Sequence, residues 1–127
     1  MKTILFTLCD GAYNYDGRLT VVGTFDQIRM LSIPGTARTS FALKFLIPET
    51  ELAQKAEIRI EFRDVNNNPI SESITKSIPI PDTQKGYIHL AMAGSIQLNV
   101  AEAGKHRMLC FIDNRQVEEL EFAIILQ

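Results

Sequence analysis

Lys55-Ala56-Glu57-Ile58-Arg59-Ile60-Glu61-Phe62-Arg63-Asp64 decides the fold class. Ala56, Ile58, Ile60 and Phe62 occupy every second position, and Glu57, Arg59, Glu61 and Arg63 fill the gaps. Successive side chains of a β-strand point to opposite faces, so this stretch presents one oily and one wet face. A helix would scatter the same apolar residues around its circumference.

The same period recurs on both sides of this stretch. Phe41, Leu43, Phe45 and Ile47 share a face in 39–47, and Ile88, Leu90 and Met92 share one in 86–92. Ile96, Leu98 and Val100 do so in 95–100, and Leu120, Phe122, Ile124 and Leu126 in 117–126. Segments 2–9 and 106–112 are apolar on both faces, as strands central to a fold are. Turn formers separate the runs: Asp16-Gly17, Pro34-Gly35, Asn66-Asn67-Asn68-Pro69, Pro79 with Pro81, Gly104 and Asp113-Asn114. Further strands are read over 18–25 and 70–78. Thr50 followed by Glu51-Leu52-Ala53-Gln54-Lys55 is the one helix-like stretch, too short for more than a turn. Eight or nine short strands without alternating helices predict an all-β, antiparallel two-layer β-sandwich.

The totals fit that reading. A length of 127 residues suits a single domain over 1–127, with enough buried surface for a core. Thirteen basic residues are outnumbered by fifteen acidic ones and dispersed among them, which argues against a nucleic-acid partner. No run approaches membrane-spanning length. Met1 to Cys9 faintly resembles a secretory leader, but the apolar run is short and Leu8 is not a small residue, so it reads as the first strand. The two cysteines, Cys9 and Cys110, read as buried thiols of a cytoplasmic protein.

Leu8-Cys9-Asp10, Asp16-Gly17-Arg18-Leu19, Val22-Gly23-Thr24-Phe25-Asp26-Gln27-Ile28, Pro34, Gly104-Lys105-His106 and Ile112-Asp113-Asn114 together resemble a bacterial family of small domains without an assigned activity. The resemblance implies an immunoglobulin-like sandwich and transfers no functional residue. The family pattern more often has an aromatic residue where His106 stands, and glycine where Asn114 stands.

Chemistry-bearing constellations are sparse. Cys110 and His106 lie four residues apart, about 13 Å along a strand, so they form no nucleophile–base pair; they read as a buried thiol and a surface imidazole. The two cysteines and two histidines make no close-spaced zinc pair. The segment Asp10-Gly11-Ala12-Tyr13-Asn14-Tyr15-Asp16-Gly17 is rich in oxygen ligands, but a calcium loop counted back from Gly17 would place its first ligand at Ala12 and its twelfth at Gly23. Asp64-Val65-Asn66-Asn67-Asn68 fails likewise, with Pro69 at the glycine position. Glu57, Glu61, Glu119 and Glu121 alternate along strands and read as a solvated face. There is no nucleophile elbow, phosphate loop or dinucleotide fingerprint.

The sequence therefore predicts a non-catalytic interaction or structural domain with a protein partner, no cofactor, no metal and no membrane association. Its sheet edges offer a route to a homodimer. The alternative is a small ligand- or calcium-binding module using the 10–17 loop, with Asp10, Tyr13, Tyr15 and Asp16 as binding residues. Against that stands the plainer reading that both tyrosines pack over the end of the sandwich.

Overall fold

The computed structural model describes residues 1–16, 18–48, 55–79 and 86–127. Nine strands run through them: β1 (Lys2–Tyr15), β2 (Arg18–Phe25), β3 (Gln27–Met30), β4 (Gly35–Pro48), β5 (Lys55–Arg63), β6 (Ile74–Pro79), β7 (Tyr87–Val100), β8 (Gly104–Ile112) and β9 (Arg115–Leu126). They form a four-stranded sheet in the order β2-β1-β4-β7 and a five-stranded sheet in the order β3-β9-β8-β5-β6. The all-β sandwich expected from the two-residue period is thus present. The helix-like stretch at 50–54 and Pro81 lie outside the described residues.

The two sheets bury their inward faces against each other. Leu8, Phe41, Leu43 and Phe45 come from one sheet, and Ile58, Ile60, Phe62, Met108, Phe122 and Ile124 from the other. Each such side chain contributes roughly 1.5–3 kcal/mol by leaving water. Aromatic rings cross the interface. Phe41 meets Phe62 edge-on at 6.3 Å across it, and Phe62 meets Phe122 of its own sheet in the same way at 6.3 Å. Gly94 lies opposite Phe41 in the β4–β7 ladder and leaves room for its ring.

Several expectations need correction. The sandwich is not wholly antiparallel: β3 pairs parallel with β9, from Gln27↔Ala123 to Met30↔Leu126. The chain passes at Asp26 from one sheet to the other, where the Asp26 carbonyl accepts from Ala123 N, and so meets β9 running alongside. Segments 86–92 and 95–100 are one strand, because Met92, Gly94 and Ile96 keep a single parity through the gap. The 70–78 segment becomes strand only at Ile74; before it, Ile70 bonds singly to Phe62 O and accepts from Asn99 N. The first strand continues beyond Cys9 to Tyr15.

His106 is not a surface imidazole. It is fully buried in β8, its Nδ1 2.9 Å from Gly104 O and its ring tilted against Phe122 at 5.8 Å. An inward position in a central strand outweighs the residue's usual surface preference. The expected turn between β8 and β9 is present at Asp113-Asn114, both at positive φ (50° and 66°), as a two-residue hairpin turn requires.

Candidate functional site

The β1–β2 hairpin carries all four residues singled out from the sequence, but it separates them. Asp10 to Tyr15 are extended strand, not loop, and only Asp16, at φ 53°, enters the turn. The six steps along the strand from Asp10 to Asp16 amount to about 20 Å. The two carboxylates therefore cannot share one ion, which removes the geometry of the calcium reading. Among the described residues no three His, Cys, Asp or Glu side chains are grouped to hold a metal.

The other stretch weighed as an ion loop, Asp64 to Asn68, is also accounted for by its own backbone. Asp64 Oδ1 accepts from Asn66 N and Asn68 N, both at 2.9 Å. The Asn68 amide, ahead of the Asn66 amide, holds the Asp64 carboxyl below its ordinary value. Asn67 takes the left-handed conformation that closes this turn, at φ 67°.

Asp10 instead faces a small cavity of about 200 Å³ lined by Cys9, Phe25, Arg38, Ser40 and Ser95. Ser40 and Ser95 hydroxyls are 2.9 Å apart across β4 and β7. Ligand pockets are usually larger, upward of about 300 Å³. Burial, then the Asp10 carboxylate, pushes the Cys9 thiol up from its ordinary value, so it stays protonated and poorly nucleophilic. Gly23 stands across the hairpin from this carboxylate. Its φ of 65° and the collision that any Cβ would make with Asp10 leave glycine as the residue that fits.

Tyr13 and Tyr15 share the opposite face of β1, and neither packs over the sandwich end. They are 70% and 81% exposed. Their cross-strand partners are Thr20 and Arg18, while Gly11 faces Val22. Residues paired across a ladder lie on one face, so Tyr13, Tyr15 and Val22 form a continuous apolar surface with Thr20 between them. Val22 is 57% exposed. Sequence reading missed it because Val21-Val22 looks like an ordinary apolar pair; the register shows that only Val22 faces outward. Asn14, on the other face, donates from Nδ2 to Ala91 O at 3.1 Å and ties the hairpin to β7.

A family model matches residues 4–125, nearly the whole sandwich. The chain belongs to a family of unknown function, DUF6941. None of the curated proteins matches this DUF6941 chain. Similar solved structures include two of a glycosyl hydrolase family 2 member from Bacteroides cellulosilyticus, each with a TM-score of 0.46 and 9% identity. The similarity covers 68% of the DUF6941 chain and 12% of that much longer one.

Proposed function

We propose that this domain is a non-catalytic protein-interaction module that docks a protein partner on the outer face of the β1–β2 hairpin. The observation that carries the reading is the surface of Tyr13, Tyr15 and Val22, apolar and exposed on a regular two-stranded support. Aromatic residues are enriched at protein interfaces, where a rigid ring supplies contact area at low entropic cost. The partner is one that presents apolar side chains, because the face offers rings and a valine, with a hydroxyl at Thr20, a single cation at Arg18 and no carboxylate. Neither thiol supports nucleophilic chemistry: burial raises both, Cys110 to about 12. Two free, buried cysteines fit a reducing, cytoplasmic setting.

We also infer an immunoglobulin-like arrangement. The run β9-β8-β5-β6 with β3 parallel at its edge, facing β1-β4-β7, matches the strand neighbours of that fold, and β2 adds one strand outside it.

A photo-crosslinking residue in place of Tyr13, in the cells that make the protein, tests the docking face. We expect one defined crosslinked protein, lost on Tyr15→Ala and retained on Tyr87→Ala, an exposed tyrosine elsewhere. Melting temperatures should stay close to the parent's, because surface changes are worth within about 0.5 kcal/mol. A crosslink indifferent to Tyr15→Ala would refute the proposal, as would none at all.

A further inference from the structure

We propose that an extended, acidic segment of a partner polypeptide adds as an antiparallel strand to β4 at Thr36–Arg38, in the groove between β4 and β3. The tyrosine face of the hairpin plays no part in this site.

β4 has β1 on one side and β7 on the other, but β1 leaves it early. Their ladder ends at Cys9↔Ser40. Beyond Cys9 the hairpin turns back across the sheet: Asn14 reaches Ala91 O, and Ala91 stands level with Lys44 rather than with the start of β4. From Gly35 to Thr39, β4 is therefore paired with β7 alone. The direction of its spare backbone groups follows from β7. Residues facing each other in an antiparallel ladder exchange both bonds or none, in alternation. Asn99 donates its N–H to Ile70 O and Ala91 O accepts from Asn14, so this parity of β7 turns away from β4. Thr36 faces Asn99 and Arg38 faces Gln97, both of that parity. Thr36 and Arg38 thus turn N–H and C=O to the side that β1 has vacated, where no ladder partner meets them among the described residues. An edge of this kind templates an added strand.

The groove on that side has room and a charge. It holds about 360 Å³ and is lined by Thr36, Ala37 and Arg38 from β4 and by Ile28, Arg29 and Met30 from β3. Met30 belongs to the core and Ile28 and Ala37 pack against it, which gives the groove an apolar floor. No acid among the described residues lines it. Arg29 and Arg38 are exposed, and neither has an ion pair among the described residues. Asp10 shares the smaller neighbouring cavity with Arg38 and does not pair with it. These features set the partner's pattern. A residue opposite Arg38 lies on the outer face, where an acid is favoured across the strands. The next residue lies opposite Ala37, turns toward Ile28 and Met30, and is apolar. The occupant is thus a segment in which acids alternate with apolar residues.

The probe is a short fluorescent peptide of alternating glutamate and valine, titrated with the full chain by fluorescence polarisation. It should bind. The same peptide with lysine for glutamate should not, and neither should one N-methylated at its glutamates, whose N–H groups would face β4. Arg38→Glu should weaken binding of the acidic peptide about tenfold and admit the lysine peptide. Thr36→Pro removes an N–H aimed at the groove and spares the bonds to β7, so it should also weaken binding. Tyr13→Ala should leave binding unchanged, which separates this site from the hairpin face. Circular dichroism and melting curves check that the variants are folded, and the peptide series on the parent needs no variant. An acidic peptide that fails to bind at its highest soluble concentration overturns the proposal. So does binding indifferent to N-methylation or to Arg38→Glu.

Discussion

Adding one methyl group at Gly94 should destabilise the sandwich, although glycine in a strand is ordinarily the worse choice. Gly94 has no positive φ, so alanine fits its backbone and would by itself gain about 0.5–1 kcal/mol through a less flexible unfolded chain. Space decides the sign. An added Cβ would stand 2.8 Å from Phe41 Cζ and 2.9 Å from Cε1. The Phe41 ring is fully buried and cannot swing into water. It rests edge-on against Phe62, which rests on Phe122, so a retreat would move a stack that spans both sheets. Overpacking of this kind costs about 1–3 kcal/mol. The net loss then lies between about zero and 2.5 kcal/mol, or up to roughly 9 °C in melting temperature for a chain of this size. Phe41→Leu shortens the obstructing group. Combined with Gly94→Ala it should cost less than the two changes summed, with a coupling of about 1 kcal/mol in a double-mutant cycle. A higher melting temperature for Gly94→Ala, or strict additivity in the double variant, would refute the reasoning.

Two further outcomes follow from the buried groups. His106→Phe should raise stability by about 0.5–1 kcal/mol in urea denaturation: it removes a buried Nε2 that has no hydrogen-bond partner, and the lost Nδ1 contact leaves Gly104 O at an exposed strand start; a lower unfolding midpoint would count against it. Cys110 should resist alkylation at pH 8.5 in the folded protein and react once unfolded, because burial, then the Glu118 carboxylate, lifts its thiol to about 12. The folded form holds the proton more tightly than the unfolded one, so this contribution is complete below the unfolded thiol's pKa of about 8.5 and fades as pH rises toward 12. Rapid labelling of Cys110 in folded protein would overturn that assignment.

The sequence carries the face of each strand more clearly than its neighbours. The parity of Phe41, Leu43 and Phe45, or of Ile58, Ile60 and Phe62, follows from alternation alone, and every one of them is in the core. Alternation is blind to direction, however, so the parallel β3–β9 pair had no signature in Gln27-Ile28-Arg29-Met30. It is equally blind to where a strand stops. Asp10, Asn14 and Asp16 look like loop residues, but Gly11↔Val22 and Tyr13↔Thr20 keep the ladder intact to the hairpin tip. His106 was misplaced for a related reason: its neighbours Lys105 and Arg107 are polar, and only the pairing with Phe122 fixes which way it turns.

The outward faces of the two sheets are built differently, and that difference concentrates interaction on the hairpin. On the five-stranded sheet, Glu61 joins Arg59 and Arg63 at 3.5 and 2.9 Å, and Arg107 joins Glu119 at 3.2 Å. Arg59 also lies over the Phe111 ring, 4.4 Å from its centre. Such a lattice of alternating charge covers the apolar rings beneath it and repels a stray strand. The outward face of β1 and β2 has no counterpart. Its ladder reads Thr24 with Cys9, Val22 with Gly11, Thr20 with Tyr13 and Arg18 with Tyr15. A monomer gains nothing by holding two tyrosines and a valine in water, since moving apolar area out of water is worth about 25 cal/mol per Å². Burying that area requires a second surface, and the hairpin, tied down at Asn14, presents it without further rearrangement.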